Sequence, residues 1–196
     1  MINKKIIEYV EAIIVAFVVA MIIRAFVLQP FTIPSGSMLN TLLIGDCVMV
    51  NKFVYGVKIP FTNDYIVEMG DPKRGDVVVF EYPRNPKDDY IKRIVGVPGD
   101  TLTMRDKVLY VNGVKVSEPY AIYSRPGENL PQDNFGPVTV PAGEYFMMGD
   151  NRDDSSDSRE WGTVKRNALV GKAWRLYWSS DGLSDIRWDR IGMAIE

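Results

Sequence analysis

With 196 residues and 23 Lys and Arg against 25 Asp and Glu, the chain has room for one core domain and a small appendage, and no basic footprint that would point to nucleic acid. It has no histidine and one cysteine, which excludes a Ser-His-Asp triad, a Cys-His pair, histidine-ligated zinc and an internal disulfide. A nucleophilic enzyme written in this alphabet must take its base from a lysine, a carboxylate or an N-terminal amine, and Ser with Lys is a known variant of triad logic.

The first element is an apolar segment. Residues 12–23 are uninterrupted apolar, and the run extends over 6–28 if Glu8, Glu11 and Arg24 are admitted near its ends. The longer reading reaches about 34 Å, enough for a hydrocarbon core of about 30 Å, with the charged ends snorkelling. A cleaved secretory signal is the rival, since Lys4 and Lys5 precede the stretch; but no small-x-small site follows it, which favours an uncleaved anchor. A core helix of a soluble domain is disfavoured because apolar residues surround 12–23 on every face. Lys4 and Lys5 precede the segment, and after Arg24 no basic residue appears before Lys52, so the N-terminus is expected in the cytoplasm and the rest outside.

Beyond Pro30 the pattern is short apolar or alternating runs cut by Gly, Pro, Asn and Asp, which reads as mostly β. Strands are expected at 46–51, 76–82 (DVVVFEY), 90–95, 144–148 and 173–178, and 108–116 (VLYVNGVKV) reads as a hairpin turning at Asn112-Gly113. The stretch 53–61 (FVYGVKIPF) is expected as a core strand, or else as a loop resting on a bilayer. Residues 117–141, rich in Pro, Gly, Asn and Ser, read as a long loop in an inserted subdomain. Cys47, without partner or activator, is expected as a buried small hydrophobe.

Three clusters carry chemistry. Pro34-Ser35-Gly36-Ser37-Met38 suits a sharp exposed turn, and alone it is no more than a loop. In Tyr90-Ile91-Lys92-Arg93-Ile94-Val95, a period of 2 places Lys92 on the face of Tyr90 and Ile94, where it either snorkels out or is held desolvated; only the second makes a base. The third, Gly149-Asp150-Asn151-Arg152-Asp153-Asp154-Ser155-Ser156-Asp157-Ser158-Arg159, lacks the Gly and Glu of a calcium loop at the sixth and twelfth places, where Ser155 and Trp161 stand. It reads as a solvated turn or as a hydrogen-bonded scaffold able to hold a lysine.

Together with Gly45-Asp46, Lys52, Arg74-Gly75-Asp76 and the run to Asp100, these clusters resemble in order and spacing the bacterial type I signal peptidases, membrane-bound Ser/Lys proteases. The resemblance implies a mainly β fold: a curled, barrel-like catalytic core (29–100 and 144–196) with a small inserted β subdomain (101–143), after an N-terminal cytoplasmic stretch and transmembrane anchor (1–28). It implies Ser37 as nucleophile, Lys92 as general base, Ser35 and the Ser37 N–H as oxyanion donors, Ser155 as the residue that orients the Lys92 amine, and Arg93, Asp150, Asp157 and Arg159 as supporting ion pairs. No metal or cofactor is called for. The expected partners are exported preproteins with Ala-x-Ala sites and membrane lipid, not nucleic acid, at the outer face of the bacterial cytoplasmic membrane. Asn40 stands where the family usually has proline, which loosens the turn after the nucleophile. Rival functions are a Ser/Lys processing peptidase serving pilus or conjugation proteins, a self-cleaving repressor, disfavoured by the anchor, and a non-catalytic membrane-anchored peptide-binding β domain.

Overall fold

The computed structural model describes residues 4–59, 62–182 and 185–196. Helix α1 (Lys4–Phe26) is followed by strands β1 (Leu28–Thr32), β2 (Asp46–Asn51), β3 (Gly56–Lys58), β4 (Tyr65–Glu68), β5 (Val77–Tyr82) and β6 (Asn85–Gly96). Then come β7 (Thr101–Arg105), β8 (Val108–Val111), β9 (Val114–Lys115), β10 (Phe135–Thr139) and β11 (Glu144–Met148). A four-residue helix α2 (Ser158–Trp161), β12 (Val164–Lys165), β13 (Leu169–Asp181) and β14 (Asp185–Ile186) complete the described elements.

Helix α1 is long and apolar enough to cross a membrane, and its described side chains are exposed from Lys4 to Arg24. With Ile13, Ile14 and Val19 pointing to different sides, it has no polar face to turn to water, so lipid is the solvent it suits.

The main sheet runs β1-β2-β13-β5-β6-β11-β12, with β14 added on β13, and every described pairing among these strands is antiparallel. Its centre is β5, whose residues Val77–Phe80 are buried on both faces, as a continuous β-branched run requires. Although β1 and β6 lie four strands apart in this order, Phe31 of β1 and Ile91 of β6 pack on one cluster with Val48, Val50, Val77 and Val79. The sheet therefore curls until its first strand approaches β6. On the other face of β5 and β6, Val78, Phe80, Tyr90 and Ile94 share a second cluster with Tyr145 and Met147. A second sheet, β10-β7-β8-β9, packs through Leu102, Met104, Leu109 and Val111 against Val95, Phe146 and Met148. The β8–β9 turn has Asn112 at φ 53° and Gly113 at φ 79°, the primed turn expected of that dipeptide.

Three local readings need correction, and one strand, β1, is not among those expected. Strand β1 contains Pro30, which breaks the usual strand signature but is tolerated because β1 is an edge strand. The loop expected at 117–141 contains β10, whose alternation is broken by a register shift between Phe135 and Val138, around Gly136-Pro137. Residues 53–59 form no core strand: a single 3-10 turn at Phe53–Tyr55 leads into β3, and Ile59 is exposed. Pro60 and Phe61 of that stretch lie outside the described residues. Glycine is required at Gly56, where φ is 136° and a Cβ would lie 2.3 Å from the Val67 carbonyl oxygen of β4. Cys47 is half-buried, since β2 alternates and its core face carries Val48 and Val50.

Candidate active site

Strand β1 delivers the chain to Ile33, whose N–H donates to the Asp46 carbonyl at 2.8 Å. Ser35 is extended and exposed, and Gly36–Met38 then make one 3-10 turn. Met38 is fully buried, a contribution of about 1.5–3 kcal/mol that pins the turn to the core while Ser37 stays at its surface. The Ser37 N–H falls in the first turn, where a backbone donor has no partner within its own helix. The following loop is fixed by Asp46, which accepts from Leu43 N at 2.8 Å. Burial pushes that carboxyl up, but Arg190 at 2.6 Å and Ser179 at 2.6 Å outweigh it and hold it below its usual value.

Strand β6 supplies Lys92. Its ladder partner is Val78, and residues opposed across an antiparallel pair share a face, so Lys92 falls on the apolar side with Phe80, Tyr90 and Ile94. The residue is only 4% exposed. Its Nζ lies 2.7 Å from Ser37 Oγ and donates to the Ile91 carbonyl at 3.0 Å, with the Tyr90 ring centroid 5.5 Å away. Burial drives the amine down to about 8, against the opposing pull of Asp157 and Asp150.

The loop from Gly149 to Arg159 wraps the other side of the serine turn. Asn151 clamps it twice, through N–H to the Ser37 carbonyl and through Nδ2 to the Gly36 carbonyl, each at 3.1 Å. Gly149 N–H donates to Asp157 Oδ2 at 3.0 Å, and Arg159 holds both Asp157 oxygens at 2.8 Å. Arg152, fully buried, grips Glu118 at 2.7 and 2.8 Å and donates to the Gly149 carbonyl at 3.0 Å. On β6, Arg93 holds Asp150 at 2.9 and 2.7 Å, donates to the Gly75 and Glu196 carbonyls at 2.8 Å each, and lies 3.9 Å from the Tyr120 ring centroid.

Of the residues singled out from sequence, Ser37 and Lys92 are thus in contact, and Arg93 with Asp150 and Arg159 with Asp157 form buried bidentate pairs. Ser35 makes no side-chain hydrogen bond among the described residues. Ser155 is buried beside the turn, but its hydroxyl is bonded neither to Lys92 nor to any other described group. Sequence reasoning missed Thr41, Tyr120, Glu118 and the chain end at Glu196 as parts of this network, because each arrives from a distant segment, and it included Asn151 in the loop without foreseeing its clamp on Gly36 and Ser37. No cluster of three or more Asp, Glu or Cys among the described residues is arranged to hold a metal.

Gly149 was also missed, and its requirement is steric. A Cβ there would meet Ser155 Oγ at 2.2 Å and the Ser37 carbonyl oxygen at 2.5 Å. Gly149→Ala should therefore displace the serine turn. A shift of about 1 Å in a reacting atom costs roughly 10²-fold, so kcat/KM should fall by about that much, and overpacking against a backbone oxygen should lower stability by about 1–3 kcal/mol. Wild-type kinetics in this variant would contradict the tight packing.

Comparison with known proteins gives the chain its relatives. Residues 6–178 match the family model described as "Signal peptidase, peptidase S26". The chain is 38% identical to signal peptidase I of Pseudomonas aeruginosa, over 97% of this chain and 81% of that protein. It is 42% identical to signal peptidase I of Bacillus licheniformis, over 86% of this chain and 88% of that one. Identity to signal peptidase IB of Staphylococcus aureus is 37%, over 90% and 91% of the two chains.

Proposed function

The chain belongs to the signal peptidase family, peptidase S26, and on that premise we propose that it cuts exported preproteins with Ser37 as nucleophile and Lys92 as its base. It is a serine endopeptidase that removes signal peptides. The observation that carries the assignment is the 2.7 Å approach of a buried Lys92 amine to Ser37 Oγ in a chain without histidine.

In the proposed reaction the neutral Lys92 amine takes the Ser37 proton as Oγ attacks the scissile carbonyl. The oxyanion is met by the Ser37 N–H and the Ser35 hydroxyl; Ser35 is exposed and makes no capping hydrogen bond among the described residues. Lys92 then gives its proton to the leaving amine, which departs with the mature protein. Water, activated by the same lysine, releases the signal peptide from the acyl-enzyme. Ser155 is assigned the aiming of the Lys92 amine, its buried hydroxyl being free to engage it. The Arg93–Asp150 and Arg159–Asp157 pairs hold the loop that backs the serine turn.

Substrate is read as an added strand. Among the described residues β1 has a strand on one side only, and β6 pairs with β11 only over residues 93–96, so the earlier part of β6 has no strand on that side. A chain lying in this gap would set small side chains, as in an Ala-x-Ala site, against Phe31 and Ile91. Helix α1 anchors the enzyme in the cytoplasmic membrane, with residues 29–100 and 144–196 as catalytic core and 101–143 as inserted subdomain on the outer face, where signal peptides emerge. Lys4 and Lys5 before the helix support that orientation.

The test is incubation of the detergent-solubilised chain, and of Ser37→Ala, with a preprotein carrying an Ala-x-Ala site. A single cut after the second alanine, read from the mass of the product and absent with Ser37→Ala, is expected. Cleavage by Ser37→Ala would remove Ser37 from its role, and an inert wild type would remove the function.

A further inference from the structure

At one end of the curled sheet a chamber of about 330 Å³ opens where the ends of several strands converge. Gln29 comes from the start of β1, Lys52 from the end of β2, Glu81 from the end of β5 and Asp89 from β6, while Lys58 on the β3–β4 hairpin closes one wall. Phe26, the last residue of α1, also lines it, so the chamber faces the membrane end of the domain. Gln29 and Asp89 stand on the two strands that border the proposed substrate gap. A chain leaving the dyad toward the membrane along that gap must pass the chamber mouth.

The polar groups inside are unevenly satisfied. Lys58 Nζ is spent on the Asn167 and Leu169 carbonyls at 2.7 Å each, and Glu81 accepts from Asn63 at 2.7 Å. Lys52 and Asp89 act on each other's charge, yet they form no ion pair and neither side chain has a hydrogen-bond partner among the described residues. Asp89 is exposed and Lys52 half-buried, so both are accessible to a ligand; burial pushes the Lys52 amine down, and burial with Glu81 and Asp88 pushes the Asp89 carboxyl up. A donor and an acceptor that line one cavity without pairing fit a group that is itself dipolar, donating to the carboxylate and accepting from the ammonium. An amide does both; an aliphatic side chain does neither.

We infer that Lys52 and Asp89 form a distal subsite that binds a carboxamide or hydroxyl side chain four to six residues before the cut. The span follows from strand geometry. Asp89 precedes Lys92 by three residues, roughly 10 Å at about 3.3 Å per residue, and the chamber continues beyond it. The reading rests on the proposed proteolytic function and adds to it a basis for choosing among substrates.

The experiment compares three substrates sharing one Ala-x-Ala site: one with Asn at the fourth to sixth positions before the cut, one with Leu there, and a short peptide that begins at the third position. Wild type should prefer the Asn substrate over the Leu substrate in kcat/KM. Lys52→Met and Asp89→Asn should each lose about tenfold on the Asn substrate, the scale of a hydrogen bond to a charged group, and with it the preference. Lys52→Met should cleave the short peptide at the wild-type rate, which also shows that it is folded. Equal losses on all three substrates, or no loss on the Asn substrate, would overturn the subsite while leaving the dyad intact. Failure of wild type on all three would instead strike the proteolytic reading and take the subsite with it.

Discussion

Lys92→Arg and Lys92→Met should each reduce turnover by about 10⁴- to 10⁶-fold, the range seen when one member of a concerted nucleophile–base unit is removed. The arginine variant keeps a positive charge in place but cannot release its proton, so charge alone would not rescue it. In wild type the buried amine is brought down to about 8. At pH 7 about a tenth of the molecules then hold a neutral base, against roughly 0.04% for a lysine at its ordinary value near 10.4. The rate should rise with pH along an acid limb centred near 8. The same shift affects stability with a definite sign. Between about pH 8 and pH 10.5 the unfolded chain binds the lysine proton that the native state has released, so this group's contribution to stability increases with pH across that window. Below pH 8 the native state carries a buried ammonium, at a cost of about 3 kcal/mol. Lys92→Met should therefore be inactive yet melt up to about 10 °C higher than wild type at pH 7, with the difference shrinking above pH 8. Near-normal turnover of Lys92→Arg would refute the dyad, and an acid limb near pH 4 would move the base to a carboxylate, Asp150 or Asp157 first.

The parts of this arrangement legible in the sequence are those encoded by short-range pattern. Alternation along Tyr90, Lys92 and Ile94 predicts one shared face, and the three side chains meet there because the ladder to β5 keeps its register through Val78 and Phe80. Asn112-Gly113 predicts its turn because few residue pairs accept two positive φ values. The absence of histidine narrows the choice of base before any contact is known. Alternation is blind where a strand carries proline at a sheet edge, as with Pro30 in β1 and Pro137 in β10. It is equally blind to contacts that depend on closure of the whole sheet. Tyr120 reaches Arg93 from the 117–134 segment and Glu196 from the chain end, and nothing local to either residue marks it for that place. Gly149 lacks a positive φ, so the usual reason for a glycine does not apply; its need is visible only once Ser37 and Ser155 are seen against its Cα.

Arg93→Met should lower Tm by about 6–20 °C, because it leaves the fully buried Asp150 carboxylate with Thr41 as its remaining side-chain partner. Breaking one half of a buried pair costs about 3–5 kcal/mol, most of it the penalty of an uncompensated charge rather than the worth of the pair. Replacing both residues with apolar ones, Arg93→Met with Asp150→Leu, should recover most of that loss, since neither charge is then buried alone. Stability and catalysis should part company in these variants. Asp150 holds the Lys92 amine higher than burial alone would leave it, so Asp150→Asn should move the acid limb of the rate profile to lower pH, with more neutral base at pH 7. The same substitution loosens the loop whose Asn151 clamps Gly36 and Ser37, which should lower the plateau rate at high pH. A pair that serves stability alone would leave the acid limb of Asp150→Asn where wild type has it, and that result would separate Asp150 from the electrostatics of the base.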